Sequence, residues 1–449
     1  VPQLPPRSTL LALPLAVLGA LASGPAPARA VASPPADRTE LSERIDALVE
    51  PYVNLDVMSG VILVARGDTV LFAKGYGRAD PASNLPNTPD TRFPIGSVTH
   101  AFITLAVIQL DQQKLLSIRD PLSKFLPDYP EGDRITLFDL LNYRGGIPPL
   151  ESGARAPANL DSLIARLRAE PLLFRPGTGV RFSDTGFLLL AKVVEVASGT
   201  PYTEYLEKHV FEPAGMTDTG DENAGGKVPD QAVGLMPDPE GPGTIPAPPV
   251  DFARHAGSSS LYSTAMDLHR FDRALARGTL TKGRAQLALV QHRLGRRMIL
   301  HGGSLPGYSA DVNRYLEDDV LVVVLMNDGA QVQQILADGV AAVVFGLPTP
   351  PFPAFSPDAY DPDLARRTAG RYRLPDRFGF DLRIVGDHLT LDGDDGKSSR
   401  LIPEARDTWF SPLFWYHITA LPGADGRVDT LLWVGATEPD TLRAARVTD

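Results

Sequence analysis

Phe93-Pro94-Ile95-Gly96-Ser97-Val98-Thr99-His100 opens an apolar run that continues to about Gln113. Gly96 marks a turn, Ser97 stands where a helix would begin, and His100 follows one helical turn later on the same face. A serine in that place ordinarily caps the helix. It can instead serve as a nucleophile, because its own N–H and the positive end of the helix dipole lie where negative charge develops in acyl transfer. A serine hydroxyl needs a base beside it. The imidazole of His100, with an unperturbed pKa of about 6.5, is chemically suited to that task. The objection is reach: the imidazole is short and stiff, and its nitrogen must come within ~3 Å of Ser97 Oγ. The competing reading makes His100 a polar helix residue bonded to a neighbour or to Asp184.

Upstream of this segment, Leu41, Ile45, Leu48 and Val49 fall on one face of a helix over 38–52. Gly60–Arg66 and Thr69–Tyr76 read as a hairpin turning at Gly67-Asp68. The spacing predicts a helix over Ser97–Gln113, then a helical middle at Thr136–Tyr143, Leu160–Ala169, Asp184–Ser198, Thr203–Phe211 and Thr264–Arg277. Gly220–Pro249 reads as a long loop. Strands return at Arg296–His301, Tyr308–Tyr315 and Val320–Met326, and Ala330–Phe345 closes the region as a helix. Strands at both ends of a helical middle imply one antiparallel sheet assembled from distant segments, with helices packed on it. Leu347–Pro362 is proline-rich and reads as a linker. After it, short alternating runs separated by Gly-Asp, Asp-Gly and Pro-Gly pairs predict a small all-β module. The fold class is therefore α+β: an antiparallel sheet flanked by helices with an all-helical lobe, plus a C-terminal barrel-like domain. The expected division is 1–30 leader, 31–346 main domain, 347–365 linker and 366–449 β domain.

The chain has 449 residues, 43% hydrophobic and 22% charged, which is ordinary globular composition. A net charge of −11 argues against a nucleic-acid surface. Cysteine is absent, which excludes disulfides and thiol catalysis. Arg7, the apolar stretch Leu10–Ala22 and Ala28-Arg29-Ala30 read as a secretory signal over the first 30 residues, so an exported protein, periplasmic or secreted, is expected. No other apolar run approaches the ~18 residues of a membrane span. The eight histidines form no H-x-x-x-H pair and no zinc-spaced cluster, so no metal and no cofactor are expected.

Several ordered tracts surround Ser97: Gly75-Tyr76-Gly77-Arg78-Ala79-Asp80, Asp120–Pro127, Arg175-Pro176-Gly177-Thr178, Ser183–Phe187, Tyr262–Leu268 and His301–Tyr308. From Val49 to about Phe345 the chain resembles the serine β-lactamase and penicillin-binding-protein family, particularly class C β-lactamases, related esterases and D-amino-acid peptidases. The C-terminal module resembles the lipocalin-like β domain of some members. The resemblance implies a β-lactamase/transpeptidase-like fold and an acyl-enzyme on Ser97. It also marks two departures. His100 stands in the place of the proton-accepting lysine of Ser-x-x-Lys. Phe182-Ser183-Asp184 stands for Tyr-x-Asn, and Phe182 lacks the relaying hydroxyl. His301-Gly302-Gly303 matches the third motif, with the amide of Ser304 completing an oxyanion hole, and Asp184 and His301 lining the cleft. A further loop, His-Thr-Ser-Gly-Leu-Pro in the family, reads Tyr143-Arg144-Gly145-Gly146-Ile147-Pro148, where Tyr143 could supply a substitute phenol that nothing in the sequence places at the site.

Two functions follow from these residues. One is an exported hydrolase that acts on an ester or amide (a peptide or a β-lactam-like molecule) through Ser97, with His100 as base. The other is an impaired pseudoenzyme that binds a cell-wall-like ligand or a partner in the same cleft. A small-molecule or peptide substrate is expected in the first case; oligomeric state is open in both.

Overall fold

The computed structural model describes residues 37–150, 159–241, 243–282, 290–375, 378–435 and 441–447. The leader proposed for residues 1–30 lies outside them. The central sheet has six strands: β1 (Gly60–Arg66), β2 (Thr69–Tyr76), β3 (Val290–Arg293), β4 (Arg296–Leu305), β5 (Tyr308–Tyr315) and β6 (Val320–Met326). Their order is β3-β4-β5-β6-β1-β2, and every pairing is antiparallel. The N-terminal hairpin thus joins the late strands through β1 and β6, with Gly60 opposite Met326 and Arg66 opposite Val320.

β1 and β6 are buried along nearly their whole length, and both read as unbroken apolar runs because each face of the sheet is covered. On one face Ile62, Val64, Val322 and Val324 pack with α1 (Arg38–Asn54), through Leu41, Ile45 and Val49, and with a late helix over Gln333–Phe345. On the other, Val61, Leu63, Val323 and Leu325 pack against the helical lobe. There α2 (Thr99–Gln112) runs through the middle, buried at every position from Thr99 to Val107. Its mixed periodicity in sequence has this cause: a helix surrounded by protein needs no polar stripe. The same lobe holds α3 (Leu137–Leu141), α4 (Leu160–Leu167), α5 (Asp184–Ser198) and α6 (Ala265–Ala276), while α7, the Gln333–Phe345 helix, lies with α1 on the opposite face.

The main differences from the sequence reading are local. β4 runs on to Leu305 instead of stopping at His301, since Gly302, Gly303 and Ser304 stay paired with Asp311, Ala310 and Ser309. The helix predicted over Thr203–Phe211 is α-helical only over Tyr202–Leu206 and continues as a wider turn over Glu207–Phe211. The Gly220–Pro249 stretch carries short strands at Gly220–Asp221, Leu235–Pro237 and Thr244–Pro246. Past the proline-rich stretch, Asp361 caps a short helix over Pro362–Thr368.

Beyond that helix lies a nine-stranded antiparallel sheet. Its two outermost strands, Ser398–Arg400 and Ile402–Ala405, are separated in sequence by Leu401 alone. The sheet therefore curls until its edges nearly meet, a barrel that leaves little exposed edge. Tyr372, Phe380, Leu389, Trp409 and Trp433 fill it.

Candidate active site

Ser97 sits in a single tight turn, Gly96–Val98, that runs directly into α2. The turn is clamped from behind. Phe93 and Pro94 pair with Ser263 and Tyr262, Ile95 N donates to Leu261 O, and Thr99 Oγ1 donates to Gly96 O at 2.7 Å. Gly96 has φ +53°, the left-handed region that favours glycine.

β4 comes up against this turn at a distance only glycine permits. A Cβ on Gly303 would stand 2.0 Å from Ile95 O and 2.9 Å from Ser97 N. A Cβ on Gly96 would stand 2.8 Å from Ser304 N. The two facing glycines thus let the backbone of β4 at Gly303 and Ser304 lie directly against the Gly96–Ser97 turn.

The hydroxyl itself has two partners. Ser97 Oγ donates to Asp184 Oδ1 at 3.3 Å, and Ser259 Oγ lies 3.3 Å from it. Asp184 is the first residue of α5, whose N-cap Ser183 accepts from Gly186 N. A carboxylate there is favoured by the helix dipole. His100 reaches Ser97 only through this carboxylate. Its Nε2 lies 3.3 Å from the same Oδ1, an ion-pair approach not aligned as a hydrogen bond. Its Nδ1 lies 3.1 Å from Tyr143 OH. The imidazole stacks on Phe187 with centroids 3.8 Å apart and planes 6° from parallel, which fixes its plane. The reach problem raised by a short side chain is thus answered by interposition: Asp184 stands between hydroxyl and ring.

Tyr143 has φ +56°, a strained conformation for a bulky residue. Its N–H donates to Leu140 O and its carbonyl accepts from Arg181 N. Phe182, 46% exposed, lies over Tyr143 and His100 with centroids 5.0 and 5.8 Å away. It forms an apolar lip to the cleft.

Charge in the cleft is tuned by burial. Burial pushes the Asp184 carboxyl up, but His100, with smaller contributions from His255 and the Ser97 hydroxyl, outweighs it and holds the group below the ordinary carboxylate range. Burial and the Asp184 charge both push the Tyr143 phenol upward, so it stays neutral. Burial and the charge of His100 take His301 down to about 4, leaving that imidazole neutral as well. Burial also lowers His255. Ser304 Oγ accepts from Gln331 Nε2 at 3.1 Å.

Ser97, His100, Asp184 and Tyr143 are therefore linked in one chain of contacts, and Gly303 and Ser304 abut it. Ser259 and His255 were missed from sequence. Ser258-Ser259-Ser260 ahead of the Leu261–Ser263 strand was the available signal, but it has no fixed spacing to Ser97. Among the described residues, no group of three or more His, Cys, Asp or Glu is placed to hold a metal ion.

The family model described as Beta-lactamase matches residues 45–344. A Bacillus subtilis (strain 168) protein, PbpX, that carries a penicillin-binding-protein name is 35% identical over 234 residues, covering 52% of this chain and 58% of its own length. Penicillin-binding protein 4* of Bacillus subtilis (strain 168) is 24% identical over 446 residues, covering 89% of this chain and 98% of its own. The chain thus spans little over half of the first relative and almost all of the second. Among solved structures, the octameric penicillin-binding protein homologue from Pyrococcus abyssi superposes with a TM-score of 0.62 at 22% identity, over 90% of this chain and 99% of that one. At that identity the likeness is one of fold.

Proposed function

The chain belongs to the beta-lactamase family, and on that footing we propose that it is a serine hydrolase that cleaves an ester or amide through an acyl-enzyme on Ser97. One observation carries the reading: the Ser97 hydroxyl donates to a carboxylate, in a turn that Gly303 of β4 approaches at a distance only glycine allows.

The chemistry runs as follows. Ser97 Oγ attacks the carbonyl carbon as its proton passes to Asp184 Oδ1. The carbonyl oxygen becomes an oxyanion held by the amides of Ser97 and Ser304. Collapse breaks the bond to the leaving group, which takes the proton from Asp184. Water then repeats the cycle on the acyl-enzyme and restores the hydroxyl. The imidazole of His100 bridges the neutral Tyr143 hydroxyl at Nδ1 and the carboxylate at Nε2, and so steadies Asp184. In this reading Asp184 is the proton acceptor and His100 a positioning residue, a shift from the direct Ser–His pair expected from sequence. Neutral His301 lines the β4 side of the cleft. Export, with removal of a leader ahead of the described residues, is part of the same proposal. No helix among the described residues is long and apolar enough to cross a membrane.

A second reading has its own support. A carboxylate held below its usual range is a weak base, and both contacts to Ser97 Oγ are long. The same cleft would then bind an acyl-containing ligand with little turnover.

Labelling decides between them. A fluorophosphonate or penicillin is expected to add to the Ser97 peptide, as read by mass spectrometry, and to leave the Ser97→Ala variant unmodified. No adduct between pH ~6 and ~9, with ligand binding still seen by thermal shift, would establish the second reading.

A further inference from the structure

The loop that carries Ser259 is fixed from several sides. Ser258 N and Ser259 N both donate to His255 O, at 2.8 and 2.9 Å. Next to it the buried Asp221 Oδ2 accepts from Ser260 Oγ at 2.6 Å and from Tyr202 OH at 2.7 Å. Tyr202 OH in turn accepts from Gly257 N at 3.1 Å. Tyr202 belongs to the element directly after α5, the helix that supplies Asp184, so Ser259 and Asp184 are referenced to the same part of the lobe. Ser259 is 2% exposed, and its hydroxyl meets Ser97 Oγ.

Counting hydrogens sets the direction of that contact. Ser97 has one hydroxyl hydrogen, and it points to Asp184 Oδ1, an oxygen that can only accept. The hydrogen between the two serines is then that of Ser259. The Phe182 position offers no hydroxyl, and the Tyr143 hydroxyl is engaged by His100.

We propose that Ser259 is a catalytic hydroxyl whose Oγ–H donates to Ser97 Oγ. In the resting site this bond keeps the nucleophile's own hydrogen directed at Asp184. During hydrolysis of the acyl-enzyme it stabilises the Ser97 oxygen as the leaving group. Water adds to the acyl carbon, the bond from that carbon to Ser97 Oγ breaks, and the proton taken from water passes through Asp184 to Ser97 Oγ. The hydrogen of Ser259 stays on Ser259 throughout. The catalytic role rests on the acyl-enzyme reading; the donor assignment does not.

The test exploits a chain with no cysteine. Ser97→Cys introduces a single thiol, and the pH dependence of its alkylation by iodoacetamide gives the thiol pKa. Asp184, His100, His255, His301 and Tyr143 surround that site in every variant, so only the Ser259 hydroxyl changes. Adding Ser259→Ala is expected to raise the thiol pKa by about one unit, the loss of one hydrogen bond to the thiolate. Ser259→Gly guards against a packing artefact and is expected to raise it equally. An unchanged pKa in either double variant overturns the assignment. A second arm uses the intact nucleophile: with a p-nitrophenyl ester, Ser259→Ala is expected to slow release of the acyl group about tenfold. Failure of Ser97 to acylate at all would defeat the hydrolase reading, while the thiol measurement would still judge the donor.

Discussion

Asp184 Oδ1 is the atom that the nucleophile and the imidazole share, each at 3.3 Å. Its low pKa has a sign that can be followed. The ionised form, which accepts the proton, persists to a pH below the ordinary carboxylate value of about 3.9 and is lost only as pH falls further. The rate of Ser97 labelling is therefore expected to hold from neutrality down through pH ~5, measured with circular dichroism as a check on folding. Asp184→Asn is expected to slow it by about 10²-fold or more, the usual scale of general-base loss. A rate that already falls with a histidine-like midpoint, or an unaffected Asp184→Asn variant, would move the base elsewhere. All of Ser97, His100, Asp184 and Tyr143 were legible as candidates, because residue type and order along the chain are enough to nominate them. Which atom stands between which was not legible. Side chains from α2, α3's trailing loop and α5 converge there, and their order in space depends on packing such as the His100–Phe187 stack.

At the scale of elements, the site is a meeting of β4 with the turn that starts α2. The sequence predicted both pieces but ended the strand at His301, because two glycines weaken any strand signal. The structure gives those glycines their reason, since Ile95 O and Ser97 N occupy the space a side chain at Gly303 would need. Gly303→Ala is accordingly expected to push β4 from the turn, cost about 1–3 kcal/mol as an overpacked contact, and abolish Ser97 labelling. Denaturant unfolding and the labelling rate check both. Normal labelling in a normally folded Gly303→Ala protein would show that the two amides need not be so near. The short elements beyond Gly220 escaped the sequence reading for a related reason. Strands of two or three residues, such as Leu235–Pro237, carry too few alternations to rise above loop composition.

The molecule as a whole joins its barrel to the central sheet on the face opposite Ser97. Trp415, in a tight turn of the barrel with φ +58°, stacks on Tyr52 of α1 at 5.2 Å and meets Phe352 and Phe410 edge-on. These rings share a core with the sheet residues behind β1 and β6. A second, polar contact lies elsewhere: Thr390 Oγ1 of the barrel donates to Pro239 O, next to the short strand Leu235–Pro237. Composition alone suggested a separate β module after a proline-rich linker. What it could not convey is that the linker's Phe352 and Phe355 are themselves packing surface, since an aromatic in a coil looks the same whether it is solvated or buried. If this aromatic seam is what fixes the barrel, Trp415→Ala is expected to lower stability by about 3–5 kcal/mol, seen as an earlier denaturant midpoint with the barrel unfolding ahead of the rest. Labelling at Ser97 is expected to persist, because the seam and the nucleophile lie on opposite sides of the sheet. A midpoint unmoved by Trp415→Ala would mean that the polar contact at Pro239 holds the barrel, and a loss of labelling would mean that the barrel's seat reaches through the sheet to the cleft.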